Sequence, residues 1–131
     1  MKIGIGNSMA KKIFISLPMR GHTYDEVHKR MNDIYDLAVN TLDEPCELIN
    51  TMWTEAPSNL DNQTWYLGKS IQVIGDADLV IFSSGWAQAK GCVIERFVCD
   101  LYGLHKLNEE DLWDLQDLKF KIEEELNGHD S

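Results

Sequence analysis

Residues 76–104 read DADLVIFSSGWAQAKGCVIERFVCDLYGL, and their order decides the fold. The run 78–82 (DLVIF) is short, apolar and β-branched or aromatic, the composition of a buried strand. Ser83, Ser84, Gly85 and Trp86 then supply loop chemistry. A helix follows over about 88–102, with Ile94, Phe97, Val98 and Leu101 expected on its core face and Gly103 at its end. Strand, short loop and helix make one βα unit.

The same unit recurs outward in both directions. Upstream, 12–16 (KIFIS) is a second apolar strand, followed by the loop Leu17-Pro18-Met19-Arg20-Gly21. Thr23 and Glu26 have the spacing of a capping box. Val27, Met31, Ile34, Ala38 and Leu42 step by three and four, which predicts a helix over 24–42. A strand is expected at 46–50 (CELIN), and a loop at 52–62 that contains Pro57 and Asp61. A helix then starts near Asn62, carries Leu67, Ile71 and Ile74 inward and ends at Gly75.

Downstream, 104–107 suits a short last strand. Residues 108–126 form an acidic helix capped by Asn108, with Asp111 at its third position and a Leu107–Leu112 staple. Leu112, Leu115, Leu118, Ile122 and Leu126 make its stripe. Trp113 and Phe120 lie off that stripe and suggest a partner surface. Residues 1–10 read either as a short strand or as an extension ahead of Met9. Alternating strands and helices predict one α/β domain over 1–131, with about four parallel strands and helices on both faces.

The chain of 131 residues carries a net charge of −10. Residues 108–131 hold nine acids against two lysines, so most of this charge sits at one end. Affinity for long nucleic acids requires neutralising phosphates, and this balance speaks against it. A small phosphorylated ligand needs only one local cationic or helix-terminal site and remains open. The three cysteines (Cys46, Cys92, Cys99) form no CxxC pair, and the histidines form no metal pattern. Free thiols in a reducing cytoplasm are expected, with no metal, no cofactor and no membrane span.

In parallel α/β sheets, ligands bind beyond the C-terminal ends of the strands, where strand order reverses. Two loops fall there, 17–22 and 83–90. In the first, Pro18, Met19, Arg20, Gly21 and His22 lead into a capped helix whose free amides favour an anion. The alternative is an ordinary turn with a solvated arginine. In the second, Gly85, Trp86 and Gly91 surround a helix entry, and Glu95 lies one turn inside. Read alone, Glu95 is a surface acid paired with Arg96 or Lys90, as most helical glutamates are solvated. Asp76 and Asp78 suit turn chemistry, and Asp61 is a loop carboxylate within reach of a base or sugar.

The stretches 13–21 (IFISLPMRG), DADLVIFSSGW and KGCVIERFVCDLYGL resemble the nucleoside 2-deoxyribosyltransferase superfamily, closest to a small phage- and bacteria-encoded family within it. The likeness covers about residues 12–104. It implies a flavodoxin-like three-layer sandwich and N-glycosidic chemistry, with the superfamily's nucleophilic glutamate falling on Glu95. It also implies that Arg20 and Gly21 help to hold a 5′-phosphate, that Ser83 or Ser84 contacts phosphate or sugar, and that Asp61 contacts sugar or base. A homodimer or higher homo-oligomer is expected on the same ground. Here Leu17 precedes Pro18 where the superfamily has a Gly-Pro step, and no general acid aligns. Three functions follow: an N-glycosidase or deoxyribosyltransferase, a nucleotide-binding module that leaves its ligand intact, or a partner-binding protein using the acidic helix.

Overall fold

The computed structural model describes residues 10–53 and 62–128. In chain order its elements are β1 (Lys11–Ser16), α1 (Tyr24–Leu42), β2 (Cys46–Leu48), α2 (Asn62–Ile74) and β3 (Leu79–Phe82). A 3-10 turn (Trp86–Gln88), α3 (Lys90–Tyr102), β4 (Lys106–Asn108) and α4 (Glu109–Gly128) follow. The strands are all parallel in the order β2-β1-β3-β4, so the chain reverses direction across the sheet between β1 and β3. This is a flavodoxin-like α/β sandwich.

Strand parity assigns the two faces of the sheet. Side chains alternate along a strand, so residues two apart share a face. Ile13, Ile15, Leu17, Leu79 and Ile81 pack with Val27, Met31 and Ile34 of α1 and Leu112 of α4. Phe14, Val80 and Phe82 pack on the opposite face with Ile74 of α2 and Cys99 of α3. Ser16 has the parity of Phe14, which aims it at the α2–α3 layer. The central strands are buried on both faces, which is why they read as unbroken apolar runs.

Helix ends follow their local chemistry. The Thr23 hydroxyl accepts from the Glu26 amide at 3.1 Å, and the Thr23 amide donates to the Glu26 carboxylate at 2.8 Å, completing the capping box of α1. At α4 only half of the expected cap forms. The Asn108 amide donates to Asp111 at 2.8 Å, while the Asn108 side chain accepts instead from Arg96. α3 ends at Gly103, whose φ of 67° is left-handed and costs a glycine little.

The structure corrects the expected faces of two helices. On α3 the buried residues are Cys92, Glu95 and Cys99, while Ile94, Phe97 and Leu101 are exposed. Residues 95 and 97 lie about 200° apart around a helix, so burying Glu95 turns Phe97 outward. Small cysteines then let the helix approach the sheet closely. On α4 only Leu112 of the expected stripe is buried; Leu115, Leu118, Ile122 and Leu126 face outward beside Trp113 and Phe120. On α2, Ile74 is buried and Leu67 and Ile71 are half-buried, with Ser70 as the buried polar neighbour. The strand expected at 46–50 is shorter, spanning Cys46–Leu48. Among the described residues no helix is long and apolar enough to cross a membrane.

Candidate functional site

The reversal between β1 and β3 opens a cleft of about 650 Å³ at the C-terminal end of β1. That volume suits a small molecule of nucleotide size. One wall is the loop after β1, with Pro18, Met19, Arg20 and His22. The opposite wall is the entry to α3, from Gln88 through Gly91 to Cys92. Tyr66 and Ser70 of α2 and Trp53 of the loop after β2 close a third side. Glu95 is also on the wall, one turn into α3.

Glu95 is only 7% exposed. Its Oε1 accepts a 2.6 Å hydrogen bond from the Ser16 hydroxyl at the end of β1. Burial pushes its carboxyl up from the ordinary glutamate range to about 7, and hydrogen bonds from Ser16 and Ser70 oppose that rise. The group therefore titrates near neutrality and changes charge at little cost, as catalytic carboxyls do. The Cys92 thiol shares the wall, but burial pushes it up to about 11, so it is a neutral thiol near pH 7. Among the described residues Glu95 is the one carboxylate on the cleft wall.

Arg20 and Lys90 bring positive charge to opposite walls, and no acid among the described residues holds either. The amides at the start of α3 have no side-chain cap and open onto the same space. Anionic groups are favoured at this end of the cleft, and the aromatic rings of Tyr24, Trp53 and Tyr66 offer flat surfaces around it.

The other residues singled out in the sequence are dispersed. Ser83 and Ser84 line an adjoining pocket of about 300 Å³, with Arg30, that shares Leu17, Pro18, His22 and Val27 with the cleft. The Ser84 hydroxyl donates to Glu110 at 2.9 Å and its amide to Glu109 at 3.0 Å, so α4 takes up its polar groups. Gly85 and Trp86 are on the wall of neither cavity. Gly85 makes the left-handed step (φ 87°) that turns the chain, and Trp86 folds back onto Phe82, with ring centroids 5.8 Å apart. Arg96 then stacks on Trp86 at 4.2 Å from the ring centroid. The Gly-Trp pair thus shapes the loop from outside the cleft. Gly21 takes a φ of 86° where the loop turns into α1. Asp61 lies outside the described residues.

Sequence reading missed Ser16, Ser70, Tyr66 and Trp53. Ser16 carried a usable signal, since it is the one polar residue closing an apolar strand. Ser70 and Tyr66 were masked by the apolar periodicity of their helix. No family model matches this chain, and neither a curated protein nor a solved structure matches it.

Proposed function

We propose that this chain binds a nucleoside or its 5′-monophosphate in the strand-end cleft, and cleaves or transfers the N-glycosidic bond through Glu95. The observation that carries this reading is Glu95 itself: a buried carboxyl on the wall of a nucleotide-sized cleft, anchored by Ser16 and titrating near pH 7. The sequence resemblance supplies the bond to be broken, and the cations Arg20 and Lys90 suit a phosphate.

An ionised Glu95 oxygen attacks C1′ of the sugar. The C1′–N bond breaks, its electron pair leaves on the base, and the base nitrogen takes a proton from water. Water then attacks C1′ of the resulting ester, which releases the sugar and a proton and restores the carboxylate. A second base attacking in place of water gives transfer. The scheme divides one difficult displacement into two, as in retaining glycosidases, and needs no cofactor. The test is a panel of deoxynucleosides and their monophosphates, scored for binding and for free base.

One observation favours a binding-only protein as the second reading. Glu95 is the sole carboxylate on the cleft wall among the described residues, so none of these offers a second carboxyl to protonate the leaving base. Recovery of intact bound ligand by mass spectrometry, with no free base at any pH, would select that reading.

The same proposal includes a second copy of the chain as partner. Phe97, Leu101 and Tyr102 of α3 and Trp113, Leu118 and Phe120 of α4 are exposed on the two layers next to the β4 edge. With their apolar neighbours they leave an apolar strip on each of the two layers, the kind of surface that marks protein–protein contacts. Two-fold pairing across the β4 edge would cover both faces at once. A cytoplasmic setting fits the free thiols Cys46, Cys92 and Cys99.

A further inference from the structure

Ser16 and Glu95 come from different layers of the sandwich. Ser16 is the last residue of β1, pairs in register with Phe82 and is 2% exposed. Its carbonyl accepts from the Ser83 amide at 2.9 Å, which extends the β1–β3 ladder to the strand ends and fixes the backbone beneath the hydroxyl. A serine hydroxyl has one proton, and here it goes to Glu95 Oε1 at 2.6 Å. One carboxylate oxygen is thereby engaged at the floor, and the Ser70 hydroxyl of α2 is a second donor to the same carboxyl.

We propose that Ser16 is a positioning residue that anchors Glu95 through Oε1 and so holds the carboxyl in place to meet the electrophilic carbon of the substrate. The proposal rests on the assignment of Glu95 as the nucleophile. A hydrogen bond from a hydroxyl to an ionised carboxylate stabilises the charged form and restricts its rotation. In a buried setting both effects matter more than in water. Ser16 therefore keeps Glu95 ionised often enough, and aimed well enough, to react.

The groups facing Glu95 allow its titration to be read cleanly. β1 contributes the Ser16 hydroxyl and α2 the Ser70 hydroxyl. α3 contributes the thiols of Cys92 and Cys99, each pushed up to about 11 by burial. Arg20, Lys90 and His22, with the phenols of Tyr24 and Tyr66, stand along the cleft wall. A charged hydrogen bond of this kind is worth roughly a tenfold change in ionisation.

The test is a carboxyl-carbon NMR titration of the full chain with labelled glutamate, the Glu95 signal being assigned by its loss in Glu95→Gln. Ser16→Ala should move the Glu95 midpoint upward by about one pH unit. Ser16→Thr, which keeps the hydroxyl, should restore most of the wild-type midpoint. Ser16→Cys, nearly isosteric with a weaker donor, should fall between and serves if the alanine variant fails to fold. In base-release assays Ser16→Ala should lower kcat about tenfold with little change in KM and shift the alkaline-rising limb by the same unit. A midpoint unmoved in folded Ser16→Ala or Ser16→Cys would overturn the proposal. The titration needs no turnover, so a shifted midpoint in a protein that releases no base would leave the anchoring intact and count against the glycosidic function alone.

Discussion

The Arg96 guanidinium lies 4.2 Å from the centroid of the Trp86 ring and 4.9 Å from that of Phe82. Its Nη1 also donates to the Asn108 side chain at 2.8 Å. One cation thus joins α3 to the turn after β3 and to the end of β4. Planar stacking combined with a directed hydrogen bond suits arginine better than lysine. Arg96→Ala should destabilise the fold by about 2 kcal/mol in urea unfolding, and Arg96→Lys by about 1 kcal/mol. A double-mutant cycle with Trp86→Ala should give a coupling of about 1 kcal/mol. A coupling near zero would remove the stacking as the cause.

Glu109 is buried at the start of α4 and accepts from Arg30, the Ser84 amide and the Trp113 indole. Burial pushes its carboxyl up, but these donors together outweigh burial and hold it below its ordinary value. A depressed carboxyl stabilises the fold above the unfolded pKa and loses that contribution as pH falls through the folded one. Glu109→Gln should therefore cost about 2–3 kcal/mol near neutral pH, discounted because Arg30 is partly exposed. The difference from wild type should shrink as pH falls below about 4.5. Chemical denaturation at a series of pH values reads both.

Glu95 has the opposite sign. Its folded pKa, about 7, is raised above the ordinary 4.5, so its contribution is fully present below the unfolded value and is lost as pH rises to 7. Above pH 7 the buried charge opposes folding by roughly 3 kcal/mol. Glu95→Gln should leave stability near that of wild type at pH 4 and raise it by up to that amount at pH 8. Parallel denaturation curves for the two proteins at both pH values would contradict the burial of an ionisable Glu95.

The exposed faces of α3 and α4 predict self-association. Light scattering on the purified chain should give twice the monomer mass of 15.0 kDa. Phe97→Asp combined with Phe120→Asp should reduce it to the monomer without unfolding it, since both side chains are more than half exposed in the single chain. A wild-type monomer at micromolar concentration would refute the paired arrangement.

Much of the fold was legible because it rests on local signals. The Thr23–Glu26 box, the apolar runs at 12–16 and 78–82 and Gly103 each act within a few residues of themselves. The position of the cleft followed from topology alone, through the reversal between β1 and β3. What escaped is pairwise and long-range. The rotation of α3 depends on Glu95 finding Ser16, 79 positions away, and large apolar residues at 94, 97 and 101 pointed to the wrong face. Asn108 looked like a cap, but Arg96 competes for its side chain. Nothing local to Ser84 announces that its amide and hydroxyl donate to Glu109 and Glu110 of α4.

The central claim, that Glu95 attacks the N-glycosidic bond, is tested most directly by following free base released from deoxynucleosides and their 5′-monophosphates. With wild type, release should rise with pH to a plateau above about 7, as Glu95 ionises. Glu95→Gln should lose ~1,000-fold or more of that rate while still binding the ligand. Release by Glu95→Gln at a rate near wild type, or release by neither protein from any ligand that binds, would contradict it.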